Sequence, residues 1–323
     1  MRNILPATGK AILFAAFALT LSIAAFGQPS LRKAADFDMD GKADYMVFRP
    51  SDNTWYIQLS SGGFKFQTFG LAGDDFMTPG DYDGDGKADI SVWRDSIGTW
   101  FRLNSSDNTF RGDAWGQQGD EPVARDYDND GKTDLAVVRR SNGVMTWYVF
   151  RSSDNGFVGV PWGAAGDYVA PGDYDGDGKF DFAVQRPNGM TPGSTATFYV
   201  LKSSDFGVIA VNWGFWDDSV VPGDYDGDGR TDIAVFRDGP TLGSAMAWYI
   251  LKSSDGGLLA YTWGATGIDY SAQGDYDGDG KTDIAVWRNS DGTFYIFRSQ
   301  TQSTAAFRWG APSDFPVLSY DSH

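Results

Sequence analysis

The sequence predicts an all-β protein, a β-propeller of four-stranded antiparallel blades. A nine-residue aspartate-rich phrase occurs six times, at spacings of 45 to 51 residues, which is the length range of a propeller blade. The same succession of short apolar segments and turns follows each phrase, and the 41 glycines of the chain are suited to those turns. Helical periodicity is confined to the N-terminal segment.

The N-terminal segment has the pattern of an export signal. Arg2 and Lys10 precede an apolar run of 16 residues, 11–26, and small residues at positions 25 and 27 place a cleavage site after Gly27. A retained anchor is the alternative, although 16 residues are short for a membrane span. We therefore assign residues 1–27 to a signal peptide and 28–323 to a single propeller domain. The expected location is outside the cell, in the periplasm or at the cell surface, with no membrane span once the signal is removed.

The amino-acid composition excludes several kinds of catalytic and metal site and gives the chain a large negative charge. The chain has no cysteine and one histidine, His323, so disulfides, thiol catalysis and cysteine-based zinc sites are excluded. Residues 28–323 carry 24 basic and 43 acidic residues, a net charge of −19. A compact fold with that charge repels itself unless cations neutralise it, and an acidic surface disfavours nucleic acid as a partner.

Each repeat supplies four predicted strands. A strand such as 90–94 follows the phrase, an aromatic pair opens the second strand, the third ends on an aromatic residue and glycine, and a short strand leads into the next phrase. The aromatic pairs are Trp55-Tyr56, Trp100-Phe101, Trp147-Tyr148, Phe198-Tyr199, Trp248-Tyr249 and Phe294-Tyr295. After the sixth unit, residues 315–319 resemble one more short strand, and no seventh phrase follows. We expect six blades, with the C-terminal segment helping to close the ring; seven would need strands that the sequence does not supply.

The phrase has the ligand pattern of a calcium loop. In Asp81–Asp89 (DYDGDGKAD), carboxylates occupy positions 1, 3, 5 and 9, and the main-chain carbonyl of position 7 is a further oxygen donor. Gly86 permits a sharp turn, and glycine or asparagine at the fourth position suits a left-handed backbone. Met39 departs from that pattern in the first copy. Calcium takes six to eight hard oxygen ligands, so these donors favour calcium over magnesium.

We predict about six structural calcium ions, one in each loop. The predicted ligands are the four aspartates of each loop and the carbonyl of its seventh residue: Asp36, Asp38, Asp40, Lys42, Asp44, Asp81, Asp83, Asp85, Lys87, Asp89, Asp126, Asp128, Asp130, Lys132, Asp134, Asp173, Asp175, Asp177, Lys179, Asp181, Asp224, Asp226, Asp228, Arg230, Asp232, Asp275, Asp277, Asp279, Lys281 and Asp283. These loops contain 24 of the 43 acidic residues. Six divalent ions would bring the net charge of residues 28–323 to about −7.

The loop is not an EF-hand, because an EF-hand requires a bidentate glutamate at position twelve. That position is valine in all six copies: Val47, Val92, Val137, Val184, Val235 and Val286. Each valine belongs to a predicted strand, so the loop joins two strands.

These features resemble the FG-GAP or VCBS repeats of integrin α-chain propellers and of many bacterial exported proteins. The resemblance extends from Ala34 to about Gly310. It implies a propeller that binds calcium between the first and second strands of each blade, through the aspartates given above. It does not imply one function, because the family includes adhesion and lectin-like modules and also accompanies enzymes.

Two other repeated features have more than one interpretation. An arginine ends the strand after every loop: Arg49, Arg94, Arg139, Arg186, Arg237 and Arg288. Occurrence in every unit favours a structural ion pair or an aromatic stack over a ring of cations for an anionic ligand.

Most aromatic residues also lie at repeated positions and are expected in the core, although stacking of some of them on sugar rings stays open. The irregular segments 189–197, 239–247 and 215–218 are better candidates for an individual site.

No nucleophile–histidine–acid set and no phosphate-binding glycine loop is present in the sequence. We therefore expect a monomeric, non-catalytic binding or adhesion module for an extracellular glycan or protein. Two alternatives remain, a polysaccharide-active enzyme (lyase or glycosidase) and a structural envelope or matrix protein.

Overall fold

The computed structural model describes residues 34–320, so the predicted signal peptide, residues 1–27, lies outside the described residues. The described chain forms six four-stranded antiparallel sheets, which are the six blades of a β-propeller. The predicted fold class is therefore confirmed. Two short 3-10 helices, Asp95–Ile97 and Val317–Tyr320, accompany the strands.

The strands follow the order of the chain. Blade 1 contains β1 (Tyr45–Arg49), β2 (Thr54–Gln58) and β3 (Phe64–Thr68), and blade 2 contains β4 (Asp75–Met77), β5 (Ile90–Arg94), β6 (Thr99–Leu103) and β7 (Phe110–Ala114). Blade 3 contains β8 (Glu121–Pro122), β9 (Leu135–Ser141), β10 (Val144–Phe150) and β11 (Phe157–Ala164). Blade 4 contains β12 (Tyr168–Val169), β13 (Phe182–Pro187), β14 (Thr195–Leu201) and β15 (Val208–Phe215). Blade 5 contains β16 (Ser219–Val220), β17 (Ile233–Arg237), β18 (Ala245–Leu251) and β19 (Leu258–Ala265). Blade 6 contains β20 (Asp269–Ser271), β21 (Ile284–Arg288), β22 (Thr293–Arg298) and β23 (Ser303–Arg308).

The C-terminal segment closes the ring. Strand β24 (Phe315–Pro316) pairs antiparallel with β1, and Phe315 lies opposite Phe48. Blade 1 thus takes its first strand from the C-terminus, and its other three strands come from the first repeat. This arrangement confirms the expectation of six blades closed by the C-terminal segment.

The core lies between the blades. In β9, the run Leu135–Val138 is buried at every position, because each blade is covered on both faces by its neighbours. The first aromatic residue of each predicted pair is at most 1 % exposed, and these residues are Trp55, Trp100, Trp147, Phe198, Trp248 and Phe294. Burial of such large side chains contributes much of the hydrophobic stabilisation of a fold.

Hydrogen bonds from tryptophan connect neighbouring blades. In the aromatic–glycine pair at the end of the last strand of a blade, the indole Nε1 donates to a main-chain carbonyl of the next blade. The five distances are 3.2 Å for Trp115 to Tyr148, 3.3 Å for Trp162 to Tyr199, 3.2 Å for Trp213 to Tyr249, 3.0 Å for Trp263 to Tyr295 and 3.0 Å for Trp309 to Tyr56. Phe69 occupies this position in blade 1 and has no such donor.

The repeated arginine forms an ion pair with an aspartate in every blade. Arg94 donates to both oxygens of Asp75, at 2.7 and 2.9 Å, and its guanidinium lies 4.7 Å from the ring centre of Phe101. The equivalent pairs are Arg49–Asp314, Arg139–Asp120, Arg186–Asp167, Arg237–Asp218 and Arg288–Asp269. Both structural interpretations of the arginine, the ion pair and the aromatic stack, are therefore confirmed.

Candidate metal centres

In blades 2 to 6 the aspartate loop joins the first and second strands, and in blade 1 it leads into β1, because the first strand of that blade comes from the C-terminus. In blade 2 the loop begins after β4 and ends at β5, and the Asp89 N–H donates to the Gly80 carbonyl at 2.7 Å to close it. The Tyr82 side chain is buried beneath the loop, and its hydroxyl donates to the Thr78 carbonyl at 2.8 Å. The loop is thereby fixed at its base to the rigid sheet.

The first aspartate organises the loop backbone. Asp81 Oδ1 accepts from the Gly84 N–H at 2.7 Å, and Oδ2 accepts from the Gly86 N–H at 3.0 Å. Gly84 and Gly86 both have positive φ, of 83° and 88°. Met39 takes the same left-handed conformation with φ of 64°, so the first loop has the geometry of the others in spite of its different residue.

The ninth aspartate connects the loop to a second turn of the same blade. Asp89 is fully buried; one carboxylate oxygen accepts from the Tyr82 N–H at 2.9 Å, and the other accepts from the Ser105 N–H at 2.6 Å. Ser105 lies in the turn between the third and fourth strands of the blade. The loop and that turn therefore form one unit at the same end of the blade.

A serine pair in that turn completes the unit. The Ser105 hydroxyl donates to Asp85 at 2.8 Å, and the Ser106 hydroxyl donates to Asp83 at 2.6 Å. The first serine recurs in every blade, as Ser60, Ser105, Ser152, Ser203, Ser253 and Ser299. Our sequence prediction omitted these serines, although their recurrence at a fixed place in each repeat was a visible signal.

The carboxylates converge closely enough to hold a cation. Among the described residues there are six groups of at least three side chains whose ligand atoms all lie within 4.8 Å of one another. Five of them are Asp36, Asp38 and Asp40; Asp81, Asp83 and Asp85; Asp126, Asp128 and Asp134; Asp173, Asp175 and Asp181; and Asp224, Asp226 and Asp232. The first and third positions of the loop belong to each of these five groups, and either the fifth or the ninth position completes it. All the donors are hard oxygens, which suits a divalent cation such as calcium.

Burial makes these carboxylates hard to ionise in the absence of a cation. Removal from water raises the pKa of Asp44, Asp134 and Asp232 to about 7 and the pKa of Asp89, Asp181 and Asp283 to about 6. Neighbouring aspartates of the same loop raise these pKa values further, whereas main-chain N–H donors lower them. A bound divalent ion would favour the charged form instead.

The seventh residue of a loop directs its side chain toward the neighbouring loop. A Cβ on Gly84 would fall 2.7 Å from Cε of Lys132, and one on Gly227 would fall 2.8 Å from Cε of Lys281. Glycine at the fourth position therefore leaves room for the lysine of the next blade. Because the lysine side chain lies against the next loop, the seventh residue's carbonyl is the oxygen that it can offer to its own loop, and its role as a ligand stays a prediction.

Main-chain hydrogen bonds connect all six loops in a closed ring. The N–H of the eighth residue donates to the carbonyl of the first aspartate in the preceding blade. The donors and acceptors are Ala88 to Asp36, Thr133 to Asp81, Phe180 to Asp126, Thr231 to Asp173, Thr282 to Asp224 and Ala43 to Asp275, at 2.6 to 3.1 Å. A change in the backbone of one loop therefore acts directly on both neighbours.

Within the part of the chain that the structure describes, we find no helix with the length and apolar character needed to cross a membrane.

Comparisons with known proteins bear on the family and the fold. The model of the FG-GAP-like repeat matches residues 36–92 and 126–184. No curated protein matches the sequence.

The crystal structure of TolB from Acinetobacter baumannii is similar to this chain, with a TM-score of 0.58 and 16 % identity. The alignment covers 86 % of this chain and 66 % of TolB, so this chain spans slightly less than two thirds of that protein. A triple arginine mutant of AofleA from Arthrobotrys oligospora aligns over 90 % of both chains with 11 % identity and a TM-score of 0.45.

Proposed function

We propose that this chain is an exported, calcium-stabilised module that binds an extracellular glycan or protein without catalysing a reaction. Its β-propeller fold and its FG-GAP-like repeats support a binding or scaffold role. One observation carries the calcium part of the proposal. In at least five of the loops, which form a closed hydrogen-bonded ring, three aspartates bring one oxygen each to within 4.8 Å of the other two. Without cations, such clusters repel one another strongly.

The same ring supports a structural role for the ions. The chain has no cysteine, so disulfides cannot stabilise it outside the cell. Calcium loops of extracellular modules bind with dissociation constants of roughly 10⁻⁴ to 10⁻³ M, which matches external calcium concentrations. We infer that calcium holds the loop face rigid and that binding uses other surfaces of the propeller.

The residues that recur in every blade have structural roles, which supports the separation of the stabilising loops from the binding surface. The arginines, the paired aromatics and the tryptophans of the aromatic–glycine pairs all contact their own or the next blade. Recognition of a partner therefore falls to residues that differ from one blade to the next. Loops and turns that carry such residues on a rigid scaffold are the usual place for binding sites.

Two measurements test the proposal. The purified chain should contain calcium by elemental analysis, and a chelator should lower its melting temperature; coincident melting curves with no metal in the protein would overturn the calcium part. Arrays of glycans and of extracellular proteins, probed with the calcium-loaded chain, should show saturable binding. A complete lack of binding on both arrays would overturn the binding role, and release of reducing ends or unsaturated sugars would favour the enzyme instead.

A further inference from the structure

A cavity of about 180 Å³ opens where the first strands of three successive blades meet. Its lining includes Glu121 from β8, Tyr168 from β12 and Trp216, Asp217 and Ser219 from the entry into blade 5. First strands lie nearest the axis of a propeller, so the cavity is central. Its residues stand at the beginnings of those strands, and the aspartate loops follow the ends of the same strands. The cavity therefore lies on the face opposite the candidate metal centres.

The wall of this cavity and the strand behind it depart from the repeat, Trp216 in the wall and Gln185 behind it. Trp216 is the third residue after the aromatic of the aromatic–glycine pair, where the other connections have Ala72, Gln118, Ala165, Thr266 and Pro312. Gln185 is the fourth residue of its strand, where the other blades have Phe48, Trp93, Val138, Phe236 and Trp287. Both departures fall at the same place, because Gln185 pairs with Tyr168 across β12 and β13. Residues of the repeat maintain the fold, so departures that cluster indicate an individual role.

The departures leave buried polar atoms without partners. Gln185 is fully buried, and neither its amide oxygen nor its amide nitrogen has a hydrogen-bond partner among residues 34–320. The indole Nε1 of Trp216 is also buried and unpaired within the described chain. Gln185 Nε2 and Asp218 Oδ2 both lie 3.1 Å from the point where a Cβ on Gly214 would stand, and Asp218 lines the cavity. Unpaired buried polar groups destabilise a fold and are retained where a ligand or water completes them.

The charges around the cavity favour a neutral ligand. Two of the carboxylates that line the cavity are already neutralised by salt bridges. Asp218 pairs with Arg237 at 2.7 Å, and Glu121 pairs with Arg140. Asp217 is exposed and would repel an anion. A cationic peptide would require more unpaired carboxylates than this wall provides.

The remaining chemistry matches a sugar ring. Tyr168 is 47 % exposed, and Trp216 also lines the cavity, so aromatic faces are available for the apolar face of a sugar. On the wall, Trp216 carries an indole N–H and Ser219 a hydroxyl, so a donor and an acceptor are present for sugar hydroxyl groups, and the unpaired Gln185 amide lies behind Tyr168, its partner in the strand pairing. A volume of about 180 Å³ is below the roughly 300–1,000 Å³ of pockets for drug-sized ligands, so it suits a single ring. We propose that this cavity binds one neutral sugar residue of a glycan, an inference that rests on the binding role proposed above.

Fluorine NMR of the calcium-loaded full chain, labelled with 5-fluorotryptophan, tests the site. Methyl glycosides of neutral hexoses and N-acetylhexosamines serve as probes, and Trp216→Phe assigns the Trp216 resonance. We expect that resonance to shift in a saturable way. By calorimetry, Trp216→Ala should weaken binding at least about tenfold, as loss of a central contact does, and Gln185→Leu, behind the wall, should weaken it less. Gln185→Leu should not lower the melting temperature, because the other blades have apolar residues there. Thr266→Ala, at the position of Trp216 in the next connection, is the matched control.

The outcomes separate this inference from the proposed function. Binding of a neutral glycan with unchanged affinity in both folded variants would overturn the site and leave the binding role in place. Binding only of acidic sugars, basic peptides or proteins would overturn the sugar assignment and likewise leave that role. A lack of any ligand on the glycan and protein arrays would overturn both.

Discussion

Arg49 Nε lies 2.8 Å from Asp314 Oδ1, and Arg49 Nη2 lies 2.9 Å from Oδ2 of the same carboxylate, across a separation of 265 residues. The other five arginine–aspartate pairs each join residues 19 apart. In blade 1, the pair that elsewhere closes a local turn therefore joins the two ends of the ring. It acts beside the pairing of β24 with β1, which is only two residues long.

Asp314→Asn should destabilise the closed ring. The Asp314 side chain is 2 % exposed, and removal of its charge leaves Arg49 without a partner, while the 27 % exposure of the Arg49 side chain limits the loss. We expect a decrease of about 2 kcal/mol in the free energy of unfolding. Denaturant titration measures it, and Asp205→Asn, in an exposed pair on a hairpin turn, should leave the midpoint unchanged. An unchanged midpoint for Asp314→Asn would show that β24 closes the ring without this pair.

The architecture could be predicted because each repeat carries the whole pattern of a blade. Six phrases at the spacing of a blade indicate six sheets, and residues 315–319 after the last unit indicate how the ring closes. The structural role of Arg94 and its equivalents follows in the same way, since a residue present in every unit serves the unit. What repeats along the sequence also repeats in space, so the prediction needed no knowledge of contacts between blades.

Contacts between repeats were not predictable in this way. The hydrogen bond from Thr133 to the Asp81 carbonyl joins two loops through main-chain atoms, which leave no mark on the sequence. The contact of Lys132 with Gly84 likewise depends on how adjacent blades pack. The role of the Ser105 hydroxyl could have been predicted, because serine recurs there in every blade; it was missed because the turn lies 16 residues after Asp89.

Stability of the metal-free protein should fall as the pH rises from about 4 to 7. Burial raises the pKa of Asp134 and Asp232 to about 7, above the value of 3.8 in the unfolded chain. In that window the folded state binds more protons than the unfolded state, so deprotonation favours unfolding. Calcium should therefore raise the melting temperature little near pH 5 and most above pH 7. Melting curves in chelator and in calcium at several pH values measure this, and a chelated protein that becomes more stable from pH 5 to 7 would contradict it.

The ring of hydrogen bonds predicts that the loops respond to one another. Asp128→Asn removes a carboxylate from the third loop and should lower the calcium content by one of about six ions. Because Thr133 and Phe180 donate to the carbonyls of Asp81 and Asp126, hydrogen exchange should accelerate at the amides of both Thr133 and Phe180. Mass spectrometry measures both quantities. Asp113→Asn, which alters the part-buried Arg102–Asp113 pair on an outer strand, is the control. Exchange that changes at Thr133 alone would show that the loops are independent.

Phe69→Trp should strengthen the contact between blades 1 and 2. Tryptophan at this position donates to the next blade elsewhere in the ring, as Trp115 does to the Tyr148 carbonyl at 3.2 Å. The new indole N–H would reach the Phe101 carbonyl, and one such bond contributes about 1 kcal/mol. Denaturant titration should show this gain for Phe69→Trp and a loss of similar size for Trp115→Phe. A loss in the second variant without a gain in the first would mean that Phe110, which contacts Phe69, leaves no room for the indole.

Met39→Asn should stabilise the first loop. Met39 has φ of 64° and is 60 % exposed, so it adopts a left-handed backbone without gaining burial. That conformation is unfavourable for most residues by about 1–2 kcal/mol, and asparagine tolerates it better. Asn129 holds the same position with φ of 61° in the third loop. We expect the free energy of unfolding to rise by about 1 kcal/mol in Met39→Asn and not in Met39→Ala, which keeps a Cβ and has no side-chain oxygen. Equal stability of the asparagine and alanine variants would show that the loop relieves this strain by other means.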